Sequence, residues 1–210
     1  MIIIGLTGGI ASGKSTTATM FGERDIPLHD ADAAVHELMG PGGAAVDSVV
    51  AAFGCDVLAP DGSIDRQRLG SKVFASPDQR QLLESIIHPL VAAARDSFLA
   101  SNHKAGAPLV GLDIPLLFET GGEAICDFVI LCSVDPDIQK QRALSRPGMT
   151  PDKLDAILQS QMPLATKRAM ADAVIETDHG LDAARRSLQA ILDGPVRELV
   201  ETETRDGRDA

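Results

Sequence analysis

The residues of this chain best suited to chemistry lie close to its start, between Gly8 and Ser15. This segment follows an apolar run and fits the pattern G-x-x-x-x-G-K-[ST] in full. In that pattern, glycines let backbone N–H groups surround phosphate oxygens, the lysine reaches the β- and γ-phosphates of a nucleotide, and the hydroxyl ligates Mg²⁺. We therefore expect these residues to bind ATP: Gly9, Ile10, Ala11, Ser12, Gly13, Lys14, Ser15 and Thr16.

Two carboxylates follow predicted strands farther along the chain. Asp32 ends the motif Asp30-Ala31-Asp32, where it would lie beside the γ-phosphate and accept the proton of an attacking hydroxyl. Asp30 is also open to interpretation as a helix cap. Asp113 ends an apolar run, as does the carboxylate that orients the water shell of Mg²⁺ in P-loop proteins, although many other strands end in Asp. Together with the loop, these residues favour phosphoryl transfer to an alcohol.

Two arginines, Arg142 and Arg146, are four residues apart on a predicted helix, a spacing that places both guanidinium groups on one face. The break Pro147-Gly148 follows them and suits a mobile lid. Arginines on a lid can bridge transferred phosphates and stabilise developing charge. The alternative is a solvated basic face, and the phosphate loop favours the lid.

Five short apolar runs predict the strands that would hold these residues in place. They cover residues 2–6, 27–29, 109–112, 128–131 and 173–175. Helical patterns cover residues 13–21, 136–144, 151–161 and 181–200. Strands that alternate with helices predict a parallel sheet covered on both faces. The expected fold is therefore α/β, of the P-loop NTPase type, with five parallel strands flanked by helices.

A long helical interval separates the second and third predicted strands. It is interrupted by turn residues at 40–43, 59–62 and 76–78, and it is large enough to hold a substrate. We expect a nucleotide-binding core from residues 1–32 and 106–210, with a lid at about 140–165 within it. Residues 33–105 would form a helical acceptor-binding insertion. The polar residues 201–210 are expected to fray.

The composition limits the partners. The formal net charge is -11, the only aromatic residues of the Phe, Tyr and Trp group are six Phe, and no basic run is present, which argues against binding of nucleic acid or an anionic membrane. No segment has the length and apolar character of a membrane span or the features of a signal peptide, so the protein is expected to be cytoplasmic. Cys55, Cys126 and Cys132 show no C-x-x-C spacing and are expected to be reduced, buried thiols rather than zinc ligands.

Further motifs resemble those of the dephospho-CoA kinase family, in the family's order and spacing from residue 2 to about 175. They are the phosphate loop, Asp30-Ala31-Asp32, Phe53-Gly54, Asp61-Gly62, Asp65-Arg66 with Leu69, Ile87-His88-Pro89-Leu90-Val91, Ile114-Pro115-Leu116-Leu117-Phe118-Glu119, Arg142 to Arg146, and Arg168 to Asp172. The resemblance implies ATP-dependent phosphorylation of the 3′-hydroxyl of dephospho-CoA, the last step of coenzyme A biosynthesis. It also implies ATP and dephospho-CoA as partners and Mg²⁺ as cofactor.

Carried onto this chain, the resemblance implies that Lys14 neutralises phosphate charge, that Asp32 is the base, and that Arg142 clamps phosphates from the lid, with Arg146 also at the ATP. The implied acceptor-binding residues are Thr7, Asp32, His36, His88, Pro115, Leu116 and Leu117. The implied metal contacts are Ser15 and, through water, Asp113.

Two residues depart from the family pattern. Ala11 stands where the loop commonly has Gly, and we expect it to need only an ordinary φ there. His36 occupies a place often held by Arg, so its contact with acceptor phosphates is expected to be weaker.

Two other functions are compatible with a phosphate loop. One is a kinase of another small acceptor, such as a nucleotide or nucleoside. The other is a nucleotide-dependent switch or binding module, against which the missing N-K-x-D and L-S-G-G-Q motifs argue. The expected oligomeric state is a monomer or a weak homo-oligomer.

Overall fold

The computed structural model describes residues 1–74 and 76–206 of the chain. It divides the chain into two compact units, of which the first joins residues 1–28 and 102–210 and the second contains residues 29–101. The chain passes from one unit to the other after residues 28 and 101, and the expected boundaries, after residues 32 and 105, are each four residues too late. The nucleotide-binding and acceptor-binding roles given to the two parts stay predictions.

A five-stranded sheet in the order β2-β3-β1-β4-β5 organises the fold. Its strands are Ile2–Gly8 (β1), Leu28–Asp30 (β2), Leu109–Asp113 (β3), Phe128–Ser133 (β4) and Ala173–Glu176 (β5). β1 pairs in parallel with β3 and β4, and β4 pairs in parallel with β5. The predicted α/β fold is confirmed; β2 is shifted by one residue, and the other strands are one or two residues longer than expected.

The central strand β1 leads directly to the phosphate loop. Ile4 and Leu6 are fully buried, as expected for an apolar strand in a sheet covered on both faces. In the register of the sheet, Leu6 lies opposite Asp113 of β3, and Gly8 lies opposite Cys132 of β4. The loop therefore begins at the carboxyl edge of the sheet, where open α/β sheets bind their ligands.

Ten α-helices lie within the described residues. They are Lys14–Gly22 (α1), Ala31–Leu38 (α2), Val46–Phe53 (α3), Arg66–Phe74 (α4), Pro77–Lys104 (α5), Pro136–Leu144 (α6), Pro151–Ser160 (α7), Leu164–Met170 (α8), Leu181–Ile191 (α9) and Arg197–Asp206 (α10). Helix α8 was not predicted, because seven residues are too few to show a clear 3.6-residue repeat. A π-helical turn, Leu192–Val196, joins α9 to α10; it contains Pro195, which has no N–H to donate.

The end of the chain is more ordered than expected. Helix α10 continues to Asp206, so the prediction that the chain frays from residue 201 is wrong for residues 201–206. Leu199 and Val200 pack against the main core, and the amino group of Met1 forms an ion pair with Glu203. Residues 207–210 lie outside the described part of the chain.

Each unit has a hydrophobic core of its own. In the first unit, buried residues of β1 and β4 pack with helices α1 and α9. The second unit packs around Val49, Phe53, Val57 and Leu69, which are almost fully buried. No helix in residues 1–74 and 76–206 is long and apolar enough to cross a membrane.

The expectation of buried thiols holds for Cys132 and is wrong for Cys55. Cys55 begins a short 3₁₀ turn, Cys55–Val57, in which Val57 points into the core and Cys55 is exposed. Cys126 is half-buried.

Candidate active site

The loop between β1 and α1 has a backbone that favours glycine at two positions. Gly13 caps α1 with a φ of 87°, and a Cβ at this position would meet the side chain of Thr177 at 3.0 Å. Ala11 has a φ of 57°, so the expectation of an ordinary φ is wrong. This left-handed conformation costs an L-residue roughly 1–2 kcal/mol. The loop thus turns tightly enough to form a concave site for phosphate oxygens.

Lys14 and Asp113 form an ion pair at the carboxyl edge of the sheet. Lys14 is the first residue of α1, and its Nζ lies 2.5 Å from Oδ1 of Asp113. Their side chains are 15% and 3% exposed, so the interaction is well shielded from water. Two residues predicted from separate motifs, one for phosphate and one for metal-bound water, therefore meet in the structure. Nucleotide binding would require Lys14 to turn from the carboxylate towards the phosphates.

The thiol of Cys132 interacts electrostatically with this pair and is itself uncharged. Burial raises the pKa of Cys132 to about 12, a hydrogen bond from Thr17 acts against the rise, and the negative charge of Asp113 adds to it. The thiol therefore stays protonated at neutral pH and contributes no charge next to the phosphate loop.

Arg142 connects helix α6 to the loop through Thr177. Its guanidinium donates to Oγ1 of Thr177 at 3.0 Å and to the carbonyl of Thr177 at 2.8 Å. The hydroxyl of Thr177 in turn donates to the carbonyl of Ser12 at 2.8 Å. Arg146 lies beyond the last residue of α6 and is exposed, so the expectation that both arginines share one helix face is wrong.

The turn after β3 contains three of the predicted acceptor-binding residues. The hydroxyl of the fully buried Thr7 donates to the carbonyl of Pro115 at 3.1 Å, which ties this turn to β1. Leu117 is fully buried in a cluster with Phe118 and Val129, whereas Leu116 is 40% exposed. The side chain of Leu116 is therefore the more accessible of the two leucines to a bound acceptor.

Two residues on the lid side of the loop were not predicted from the sequence. Gln139 of α6 donates through Nε2 to the carbonyl of Ile10 at 2.8 Å. Gln161, between α7 and α8, accepts through Oε1 the N–H of Ile10 at 3.2 Å. Glutamines belong to no phosphate-binding pattern, and these two lie 129 and 151 residues from their partner, so local sequence carries no signal for them.

Below these glutamines lies a cavity of about 150 Å³, lined by Gly9, Ser12, Cys132, Ser133, Val134, Gln139, Leu158, Gln161, Met162, Pro163, Leu164 and Lys167. Lys167 is almost fully buried, and its Nζ lies 2.7 Å from Oε1 of Glu119. The same oxygen accepts the N–H of Met162 at 2.8 Å. Glu119 ends the Pro-Leu-Leu-Phe-Glu motif, which is the only sequence signal that pointed to this pair.

The motif Asp30-Ala31-Asp32 belongs to the second unit and divides into two roles. Asp30 is the N-cap of α2, and its Oδ1 accepts the N–H of Ala33 at 3.0 Å. Asp32 lies in the first turn of the helix with an exposed side chain. The capping interpretation is thus correct for Asp30, and Asp32 keeps its carboxylate available.

His36 and His88 are both exposed residues of the second unit. His88 lies on α5 directly before Pro89, and His36 lies near the end of α2. The guanidinium of Arg66 lies against both ring nitrogens of His36, at 2.7 Å from Nδ1. A guanidinium therefore stands beside the residue that replaces the Arg often found in the family pattern.

The predicted metal contacts are Ser15, which is exposed at the start of α1, and Asp113, at the end of β3. One hydroxyl and one carboxylate suit Mg²⁺, which usually retains several waters and is shared with substrate phosphates. No group of three or more His, Cys, Asp or Glu residues suited to a metal occurs among residues 1–74 and 76–206.

Several known proteins are similar to this chain. The family model of dephospho-CoA kinase matches residues 2–183. Among similar proteins, the dephospho-CoA kinase of Rhodopseudomonas palustris (strain HaA2) is 46% identical over 197 residues, which cover 94% of this chain and 97% of the relative. The dephospho-CoA kinase of Mesorhizobium japonicum is 50% identical over 193 residues, which cover 92% and 96%.

Solved structures show the same fold. TT1252 from Thermus thermophilus matches with a TM-score of 0.78 and 32% identity, covering 92% of this chain and 97% of that one. Dephospho-CoA kinase from Campylobacter jejuni matches with a TM-score of 0.68 and 23% identity, covering 91% and 98%.

Proposed function

The chain belongs to the dephospho-CoA kinase family, and on that premise we propose how its own residues divide the work of the reaction. The reaction transfers the terminal phosphoryl group of ATP to the 3′-hydroxyl of dephospho-CoA and gives coenzyme A and ADP. A new bond forms between the 3′-oxygen and the γ-phosphorus, the bond from that phosphorus to the β–γ bridging oxygen breaks, and the hydroxyl proton must be removed.

The donor site consists of residues 9–16, with Lys14 as the group that neutralises the β- and γ-phosphates. The observation that carries this assignment is the buried contact of Lys14 with Asp113 at the carboxyl edge of the sheet. When ATP binds, its phosphates would replace the carboxylate as the partner of the Lys14 ammonium group, and Asp113 would then be free to hold water of a bound Mg²⁺. Mg²⁺, held by Ser15 and the phosphates, would supply charge neutralisation at the β- and γ-oxygens.

Arg142 stabilises negative charge on the nucleotide from the lid side. Its guanidinium is already held by Thr177, whose hydroxyl is bonded to the loop at Ser12, so little side-chain freedom remains to be lost on binding. Arg146 is exposed on the turn after α6 and is the second arginine that we assign to ATP.

The residues that we assign to acceptor binding are Asp32, His36 and His88 in the second unit, and Thr7 and the turn Pro115-Leu116-Leu117 in the first. Asp32 accepts the proton of the 3′-hydroxyl. This role is supported by its exposed carboxylate and by the separate use of Asp30 as a helix cap. Arg66, in contact with His36, supplies the positive charge that the family pattern usually obtains from Arg at that place.

The cellular setting of the reaction follows from the same premise. We expect the enzyme to act in the cytoplasm, a reducing compartment that suits the exposed thiol of Cys55. The expected oligomeric state is a monomer or a weak homo-oligomer.

The assignment of Asp32 is tested by replacing each carboxylate of the motif in turn. Asp32→Asn should lower kcat by roughly 10²–10⁴-fold, with a small change in the KM for either substrate, because a general base is lost while binding contacts remain. Asp30→Asn is the matched control; asparagine caps helices as well as aspartate, so turnover should stay near that of the original protein. Rates are measured as ADP release with dephospho-CoA as acceptor. A near-normal kcat for Asp32→Asn would remove it from the base role.

A further inference from the structure

The third residue of the phosphate loop is held on both sides by glutamine side chains. Gln139 donates to the carbonyl of Ile10, and Gln161 accepts the N–H of Ile10. Between them lies Gly9, where a Cβ would meet Nε2 of Gln139 at 3.0 Å and Oε1 of Gln161 at 3.3 Å. These two amides hold both peptide groups of Ile10, directly beside a glycine whose backbone is otherwise restrained by the hydrogen bond from the N–H of Ser12 to its carbonyl.

Gln161 is itself held in place by the residue that follows it. The N–H of Met162 donates to Oε1 of Glu119, and Nζ of Lys167 lies 2.7 Å from the same oxygen. Burial opposes ionisation of Glu119, but the hydrogen bonds from Lys167 and Met162 outweigh this effect and lower the pKa of the carboxyl. A charged carboxylate thus holds the junction of α7 and α8 from one side, and a buried ammonium anchors that carboxylate.

A buried ion pair of this kind is weak evidence for stability, because desolvation offsets much of the attraction. The pair does restrict the positions of both side chains, since each partner must stay in one geometry to keep the contact. Here the carboxylate holds the N–H of Met162, the residue that directly follows Gln161.

We propose that Gln161 is a positioning residue for ATP binding, and that the buried Glu119–Lys167 pair positions Gln161. Gln161 keeps the peptide of Ile10 in the orientation that the nucleotide needs, from a place close to the bound phosphates. An uncharged side chain is required there, because a carboxylate would repel them. The inference rests on the proposed nucleotide site at residues 9–16.

Three substitutions at one end of the lid test the role of Gln161. Gln161→Ala should raise the KM for ATP about five- to tenfold, as expected for the loss of one hydrogen bond, with the KM for dephospho-CoA and kcat nearly unchanged. Gln161→Glu keeps the length and the acceptor oxygen, yet it should raise the KM for ATP more than Gln161→Ala does. Gln159→Ala, at an exposed position near the end of α7 and two residues before Gln161, is the matched control and should change nothing.

Which of the two Gln161 variants has the higher KM for ATP shows whether the side chain lies close to the phosphates or has a purely structural role. If the side chain only supports the fold, Gln161→Glu should raise the KM for ATP less than Gln161→Ala does, because glutamate keeps the acceptor oxygen. A smaller effect of Gln161→Glu than of Gln161→Ala on the KM for ATP would therefore overturn the proposal.

The role of the ion pair is tested by combining substitutions at Lys167 and Gln161 and comparing the double variant with the two single ones. Lys167→Met should raise the KM for ATP to a similar extent as Gln161→Ala, and the two together should raise it little further, because both act through the same junction. Multiplicative effects would overturn this part. If Lys167→Met does not fold, Glu119→Gln keeps the length of the other side chain, removes its charge and should raise the KM for ATP to a similar extent; an unchanged KM would count against the pair.

Lys14→Ala separates failure of this inference from failure of the proposed nucleotide site. If Lys14→Ala abolishes ATP use while the Gln161 variants behave like Gln159→Ala, only the positioning role is lost. If Lys14→Ala has no effect either, the site itself is misplaced.

Discussion

At the scale of single residues, the chemistry of the donor site was accessible from the sequence because each residue type has a role in a known spacing. Lys14 and Asp113 were predicted separately, and the structure brings them within 2.5 Å. Backbone conformation was less accessible, since a sequence pattern states where a turn lies and not which residue takes a positive φ. Ala11 shows this limit. The exposure of Cys55 was also predicted wrongly, because composition indicates how buried cysteines are on average and not which side of a particular turn a cysteine occupies.

The thiols give a prediction at this scale. In the native protein at pH 8, iodoacetamide should modify Cys55 readily and Cys132 hardly at all, because a thiol with a pKa of about 12 is only about 10⁻⁴ ionised at that pH. Peptide mapping by mass spectrometry, before and after unfolding in guanidinium, measures both sites. Cys55→Ser should remove the fast reaction, and rapid modification of Cys132 in the native state would contradict the buried, protonated thiol.

The same pKa has a consequence for stability. Because the folded protein holds the Cys132 proton more tightly than the unfolded chain, the contribution of this group is intact below the unfolded pKa of about 8.5 and is lost as the pH rises towards 12. Cys132→Ala should therefore reduce the loss of unfolding free energy between pH 8 and pH 10. An unchanged pH dependence in chemical denaturation would speak against this assignment.

At the scale of elements, periodicity located every strand and most helices, because each was bounded by Gly, Pro or Asp. Helix α6, predicted at 136–144, has those bounds in the structure. Contacts between elements were not accessible in the same way. The bonds of Gln139 and Gln161 to Ile10 depend on how the lid packs, and glutamine has no preferred partner that a pattern could reveal.

Position 11 joins loop geometry to the lid and yields a prediction about stability. Ala11→Gly removes the strain of a positive φ at an L-residue. It also removes a methyl group packed with Ala143 and Leu154 and increases the conformational entropy of the unfolded chain. These effects offset one another, so the free energy of unfolding should change by less than about 1 kcal/mol. Ala11→Val, a β-branched residue at positive φ in a buried place, should cost more than about 2 kcal/mol. Urea denaturation of both variants measures this, and equal stability of the two would show that φ does not limit position 11.

At the scale of the whole molecule, the chain consists of two compact units with separate cores, residues 1–28 with 102–210 and residues 29–101. The sequence indicated this division through a change from alternating strands and helices to a purely helical pattern. It placed both boundaries four residues late, because the last residues of β2 and α5 continue their elements beyond the change of unit.

If the two units open independently, a cavity in one core should leave the other protected. Val49→Ala in the second unit and Val110→Ala in β3 both truncate a fully buried valine, so they form a matched pair. Val49→Ala should speed amide hydrogen exchange across residues 29–101, and Val110→Ala should speed it in the sheet. Mass spectrometry of exchanged peptides resolves the two, and equal acceleration of both units by either variant would indicate one cooperative unit.

The central place of β1 has a consequence for synthesis on the ribosome. The strand begins at Ile2, whereas its neighbours β3 and β4 begin at Leu109 and Phe128. At about 5–20 residues per second, roughly 5–20 s pass before the first neighbour in the sheet has been made. During that interval the apolar strand β1 has no partner in the sheet, and we expect chaperones that act on nascent chains to bind residues 2–8 until β3 emerges.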